Sequence, residues 1–508
     1  MKGKAKVLSL LLALAMTASV FAACGDNGGS PSSNNGGAVS NTGDDKPNNS
    51  GEVVELTWWH WGEASKNPDA AIAALNEKSA KDIGVKIKFL YSGTDDTKQK
   101  TAMSTGASDD IVFTCSWWAH YPTVAQQGQL YDITDMLPTE TPDLWKFLPE
   151  YMWKGAEVNG RIYAVPTYKD SAASQFWSCN KDFVIDAAGA EAEFKATGMK
   201  VATVTPLLQK VKAYADANGG TYPHDMTAPF NYNKAGLNGH GVWFNPILDT
   251  HRIGVRNDDS NYKVVSYFED ADYVADLKTL AEWYKEGLVN QDCGQLDKEP
   301  EWLVVGTGQG WEGVEDSNWG VNKDYKVAIN RRCGPYANTS TIIGSMQGIL
   351  ANSKHVKESL KYIEYMNTNA EYRNMLAYGA EGVNWKDNGD GTISKLNDDY
   401  GPGAFSQATF FLLKPVSPAP ADMYTAMQTE MDKAELSELL GFLLNQEDIQ
   451  TEVAATSTVF EKYTNGLQCG TYADVDATIA EMMKELEATG YRKIIETAQA
   501  QVDAFLGK

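Results

Sequence analysis

The sequence predicts an α/β protein of two lobes, each a mainly parallel sheet flanked by helices. Three observations carry that reading. From about residue 53 to residue 130, strand-like runs alternate with helical patterns, the rhythm of βαβ units. Roughly 450 residues follow the N-terminal tract, too many for one hydrophobic core. Two aromatic phrases, Trp58-Trp59-His60-Trp61 and Trp117-Trp118, fall at or just past the carboxyl ends of predicted strands, where open parallel sheets bind their ligands.

The N-terminus speaks to compartment. MKGKAK is a short basic segment, and the apolar run VLSLLLALAMTASVFAA is about seventeen residues long, so residues 1–23 read as a secretory signal rather than a permanent span. Phe21, Ala22, Ala23, Cys24 and Gly25 resemble the lipobox of bacterial lipoproteins. That resemblance implies an acyl chain such as palmitate on Cys24, anchoring the protein to the outer face of the cytoplasmic membrane. Residues 24–51 are Gly-, Ser-, Asn- and Asp-rich, the composition of a flexible tether that cannot bury a core. A chance cysteine after an ordinary signal is the alternative, and the tether argues against it.

The folded part begins with VVELTWW as a strand. A helical pattern from Pro68 stops at Gly84, VKIKFLYS is the second strand, and TDDTKQKTAMSTG is a helix ending near Gly106. DIVFTCS is the third strand, followed by a helix over HYPTVAQQGQL. Side chains alternate along a strand, so Trp58 and Trp59 point to opposite faces and read as packing residues. Trp61 lies past the strand end and is the better ligand candidate; one of Trp117 and Trp118 is expected to be structural. VNGRIYAVP has a hairpin-like turn and a strand broken by Pro166. STIIGSMQGILAN and the region of YGAEGVNWKDNGDGT read as further strands, separated by an amphipathic helix pair. From Ala421 the chain reads as helical, with stops at Gly466, Gly470 and Gly490.

In order and spacing these features resemble the extracellular solute-binding proteins (family 1) of bacterial ABC importers, in the maltose-binding-like branch. The phrases that carry the resemblance are DIVFTCSWWAHYPTVAQQGQLYDITDML, NGRIYAVPTYKDSAASQFWSCNKDF, STIIGSMQGILANSKHVKESLKYIEYM and YGAEGVNWKDNGDGT. It covers most of residues 52–508, with 186–330 matched only in pattern. It implies a periplasmic-binding-protein-like fold of class II type whose chain crosses a hinge three times. The crossings are expected near Val165–Lys169, Thr339–Ser345 and Gly379–Trp385. Lobe 1 then takes 52–166 and 340–382, and lobe 2 takes 167–339 and 383–508. The implied function is capture of a carbohydrate, of the large oligosaccharide type, and delivery to the permease subunits of an ABC transporter, by a monomer.

Sugar chemistry fits the composition. A pyranose has an apolar C–H face and a belt of hydroxyls, which aromatic rings and polar side chains satisfy respectively. The chain carries 14 Trp and 24 Tyr, and several aromatic residues recur beside polar partners. The candidates are Trp61 with Glu63, Trp117 and Trp118, Tyr168 with Lys169 and Asp170, and Trp311 with Glu312. Trp385 with Glu381 and Asn384 follows, and Trp243 is the weakest. For each pair, a buried aromatic beside a surface charge is the competing explanation.

Other classes are set aside. The formal net charge of −23 argues against nucleic acid and against anionic lipid at the protein surface. Six scattered cysteines include no C-x-x-C pair or zinc spacing; with Cys24 acylated, at least one thiol lacks a partner. Gly308, Gly310 and Gly313 fit G-x-G-x-x-G, but no amphipathic helix follows. DNGDG at 387–391 reads as a hairpin turn rather than a calcium loop. Ser178–Lys181 fits S-x-x-K without the accompanying S-D-N and K-T-G. No cofactor and no catalytic residue is expected. A surface glycoside hydrolase remains the alternative, because 67 acidic residues offer carboxylate pairs by chance.

Overall fold

The computed structural model describes residues 53–231, 242–296, 302–321 and 323–508. The signal, the tether and Cys24 lie outside them. Among the described residues no helix is long and apolar enough to cross a membrane.

The first sheet has five strands, in the order Val85–Tyr91, Val54–His60, Ile111–Thr114, Met346–Ile349, Ala164–Pro166. The first three are mutually parallel, and Met346–Ile349 runs antiparallel between Ile111–Thr114 and Ala164–Pro166. The helix Asp69–Ile83 stops because Gly84 takes the left-handed conformation at φ 71° and returns its N–H to the Ala80 carbonyl, a turn that side chains disfavour. Alternation separates the two strand tryptophans. Trp58 is fully buried and donates to Gln347 Oε1 at 2.9 Å, whereas half-buried Trp59 donates to Asp109 Oδ2 at 2.8 Å.

The second sheet has the order Val305–Gly310, Ala173–Asn180, Val327–Ala337, Glu435–Leu436. It corrects the expectation of a second mainly parallel sheet, since its three long strands are antiparallel neighbours. The reason is topological. Ala173–Asn180 carries the chain away from the first sheet and Val327–Ala337 carries it back, so as neighbours they must run in opposite directions. Gly308 and Gly310 lie inside the edge strand, where added Cβ atoms would stand 3.1 and 3.2 Å from Cζ2 of Trp319. These glycines admit an indole against the strand, which accounts for the G-x-G-x-x-G match.

Each sheet anchors one large core. The first gathers Leu56, Trp58, Ile111, Phe113 and Met346 with Tyr362 and Tyr372 of the helices Val356–Thr368 and Ala370–Tyr378. The second gathers Trp177, Trp243, Trp283 and Val305 with residues of the C-terminal helices Gln450–Cys469, Val475–Ala488 and Tyr491–Phe505. The chain passes between sheets at 167–172 and at 338–345. The third passage expected at Gly379–Trp385 is displaced. Trp385–Asp387 instead pairs with Ile393–Lys395 as a hairpin, and Tyr400, Ala408 and Met431 still pack in the first core. Only at Glu435–Leu436 does the chain join the second sheet, parallel to Tyr336–Ala337. Within residues 383–434, expected with the second lobe, Tyr400, Ala408 and Met431 thus belong to the first core, while Trp385, Ile393 and Leu413 form a small cluster of their own.

Gly466 does not stop a helix either. It lies within Gln450–Cys469, where a Cβ would stand 2.3 Å from the Tyr472 ring. The stop is Gly470, at φ 74°, with a Cβ position 2.2 Å from the Leu280 carbonyl oxygen. Gly470→Ala therefore meets both backbone strain and a backbone clash. We expect a loss of about 2 kcal/mol or more in urea unfolding, whereas Gly507→Ala, which shares the left-handed backbone at φ 70° but has open space around it, should cost less by the clash.

Candidate functional site

The carboxyl ends of the parallel strands carry a cluster of four rings. Trp61 lies just past its strand, with ring centroids 6.2 Å from Trp117, 6.3 Å from Trp118 and 4.9 Å from Phe405. Trp117 and Trp118 sit on a tight turn after Ile111–Thr114, closed by Cys115 N–H to Trp118 O at 2.9 Å and Tyr121 N–H to Cys115 O at 2.8 Å. Ala119 and His120 both take positive φ, 54° and 50°, conformations that cost energy for non-glycine residues and collect at functional sites. The turn assigns the two tryptophans different tasks. Trp118 is 8% exposed and donates to Gln99 Oε1, while Trp117 is 48% exposed and donates to Gly344 O at 3.0 Å. Trp117 is the ring that faces outward.

Phe405, absent from the sequence-based candidates, completes the wall. Its backbone is fixed by Ser345, whose Oγ donates to the Phe405 carbonyl at 2.6 Å and lies 2.9 Å from Thr167 Oγ1. Fully buried Arg373 binds the same segment. Its guanidinium donates to the carbonyls of Thr409 (2.7 Å), Ala404 (2.9 Å) and Ala408 (3.2 Å) and to Gln407 Oε1 (3.0 Å). Burial pushes its pKa down to about 10, so it stays charged at neutral pH. The signal for Phe405 in the sequence is thin: an aromatic two residues after the Gly-Pro-Gly turn at 401–403.

Other candidates divide. Exposed Glu63 extends beside Gly93, where a Cβ would stand 3.2 Å from Glu63 Oε1. Lys169 and Asp170, in the first passage between sheets, pair at 2.6 Å, and the Lys169 charge acts on the Cys115 thiol at the base of the Trp117 turn. These residues join Trp61 and Trp117 at the end of the sheet from which the chain crosses to the second. Tyr168 is 3% exposed, its ring edge-on to Phe411 and Phe147, and serves packing. Trp243 is buried in the second core and donates to Asp276 Oδ2 at 2.9 Å. Trp385 is buried under its hairpin and donates to Gly379 O at 2.8 Å, while neighbouring Glu381 is exposed. Trp311 is 6% exposed, packed with Val314 and Met427, and Glu312 accepts from Arg331 at 2.6 Å. None of the last four joins the ring cluster. A cavity of about 310 Å³ lies elsewhere, between residues 255–262 and the segments 336–338 and 435–439.

The fold is that of a receptor for a solute. The chain belongs to the bacterial extracellular solute-binding protein family, whose model matches residues 64–373; residues 438–507 match a domain of unknown function, DUF3502. Its place is accordingly outside the cytoplasm. A carbohydrate ABC transporter substrate-binding protein of Streptococcus pneumoniae is 25% identical over 485 residues, covering 91% of this chain and 93% of the relative. Crystal structures of the N-glycan transport solute-binding protein NgtS from the same organism share the fold. One superposes with a TM-score of 0.79 at 24% identity, covering 90% of this chain and 99% of that one. NgtS has also been crystallised with Man1GlcNAc and with Man5GlcNAc. An HMO-binding, ABC-transporter-associated solute-binding protein from Bifidobacterium longum infantis gives a TM-score of 0.58 at 16% identity, covering 89% of this chain and 98% of that one.

His60 ties the cluster to pH. It is 1% exposed, and its Nδ1 donates to the Trp61 carbonyl at 2.7 Å, so Nε2, buried and unpartnered, carries the lone pair. Burial lowers its pKa from 6.5 to about 4, and the Arg373 charge adds to this. The unfolded chain therefore binds more protons than the folded chain between these values, and stability falls as pH drops through that window. The loss attributable to His60 is roughly 3 kcal/mol by pH 4. Unfolding of wild type and His60→Gln from pH 7 to pH 4 should show the variant losing less, and parallel curves would contradict the assignment.

Proposed function

We propose that this protein is a lipid-anchored receptor that captures an oligosaccharide between two lobes and hands it to an ABC permease. The observation that carries this reading is the ring cluster at the strand ends, with Trp117 exposed and oriented by its N–H bond to Gly344 O. A flat apolar ring held in place stacks on a pyranose face with little ordering cost. Glu63, Lys169 and Asp170 supply charged partners for hydroxyls nearby. The carbohydrate relative and the sugar-bound NgtS structures support the ligand class. The lobes, built on the two cores, close about the passages at 167–172, 338–345 and 432–439, as hinge proteins do. The lipobox resemblance at Cys24 supports the anchor.

Binding is tested by calorimetry against a panel of mannose- and N-acetylglucosamine-containing oligosaccharides, with product analysis by chromatography. A receptor gives saturable binding and unaltered sugar; shorter sugars would favour the hydrolase instead. Trp117→Ala should weaken binding by about 2 kcal/mol with little change in the ligand-free melting temperature. Trp118→Ala should instead destabilise the ligand-free fold by roughly 3–5 kcal/mol, as truncation of a buried indole does, and so lower that melting temperature. The reverse pattern would refute the wall.

The anchor has its own test. Cys24→Ser should move the protein from the detergent phase to the aqueous phase, or leave it unprocessed, without altering sugar affinity. Unchanged detergent partitioning would rule the lipid out.

A further inference from the structure

Two thiols that the solute-binding function does not use stand side by side. Cys293 follows the helix Ala271–Glu286, and Cys469 is the last residue of the helix Gln450–Cys469. Both are fully buried. Cys293 Sγ donates to the Cys469 carbonyl at 3.7 Å. The neighbouring Cys293 side chain, with burial, pushes the Cys469 thiol well up. A Cβ at Gly294 would stand 3.9 Å from Cys469 Sγ. Asn465 holds the pair from the helix side, accepting from Cys469 Sγ at 3.6 Å and donating to Gly294 O at 3.3 Å. At the next residue, Gly470, an added Cβ would stand 2.2 Å from the Leu280 carbonyl oxygen, so the end of one helix already lies against the backbone of the other at this point.

The other thiols are placed differently. Cys115 belongs to the first core. Cys179 and Cys333 lie in neighbouring strands but out of register, opposite Ala328 and Gln175 respectively. Cys293 lies within the solute-binding match and Cys469 within the C-terminal DUF3502 match. A bond between them joins the two segments covalently.

We propose that Cys293 and Cys469 pair as a disulfide when the chain folds in oxidising surroundings outside the cytoplasm, where such bonds persist. Two S–H bonds break and one Sγ–Sγ bond forms. Two protons and two electrons pass to a disulfide oxidant of the glutathione or protein-oxidoreductase class, whose S–S bond is reduced to two thiols. Pairing belongs to folding rather than to the finished molecule, since neither thiol meets solvent once the helices have docked. The bond restrains the unfolded chain over a long loop and fixes the C-terminal helices to the second core.

The test uses the full chain, denatured, reduced and refolded in a buffer of reduced and oxidised glutathione. It is then denatured again with N-ethylmaleimide and no reductant, and its peptides are mapped by mass spectrometry. The expected result is a linked pair of peptides containing Cys293 and Cys469, with Cys115, Cys179 and Cys333 alkylated. Dithiothreitol should lower the urea midpoint of this refolded protein but leave that of Cys293→Ser unmoved. Complete alkylation of Cys293 and Cys469, or a link between any other pair, overturns the proposal. The mapping of the wild-type chain decides the matter even if the serine variant folds poorly.

Discussion

A guanidinium buried without a carboxylate partner among the described residues holds the ring cluster together. Removing an ion from water costs several kcal/mol even after relaxation, and Arg373 recovers it only because all four of its acceptors are in place. Three of them are backbone carbonyls of residues 404–409, a segment with no regular ladder of its own. The charge thus does for this loop what strand pairing does elsewhere: it satisfies buried carbonyls. Gln347, itself the acceptor for Trp58, donates to the Ser406 carbonyl at 2.8 Å, so the strand core and the loop share one polar network. Phe405, and through it the packing of Trp61, depends on that network being complete.

The first lobe was legible in the sequence because its signals are local. Glycine stops, period-two alternation and strand lengths marked its first six elements, and the opposite fates of Trp58 and Trp59 follow from alternation alone. Strand direction in the second sheet was not legible, because it depends on which strand lies beside which, and sequence order does not say. The third passage was misplaced for a related reason. The phrase around Trp385 marks a turn, and a turn looks alike whether it leads across a hinge or back along a hairpin.

The place of the candidate site was partly legible. Trp61 and Trp117 were expected past parallel strand ends, and their rings lie together there. Trp243 and Trp385 were not separable from them by composition. A tryptophan beside polar residues describes equally an indole that closes a core by donating to Asp276 or to the Gly379 carbonyl. Phe405 was missed because its position rests on a residue some thirty places earlier, Arg373, and no periodic pattern links the two.

The bond from Trp117 to the Gly344 carbonyl has a mechanical consequence. Gly344 lies in the second passage between the sheets, just after the short helix Thr339–Ile342, whose N-terminus is closed by a capping box between Asn338 and Thr341. The most exposed ring of the wall therefore takes its orientation from the hinge itself, while the strained turn at Ala119 and His120 holds its backbone on the first lobe. The same turn is tied to this passage a second time, by Ser116 N–H to the Ile343 carbonyl at 2.9 Å. Backbone and ring of the turn are therefore both held by Ile343–Gly344, and a displacement of that passage would be felt by both. On the proposed reading, a ligand stacked on Trp117 would act on the passage through these two hydrogen bonds.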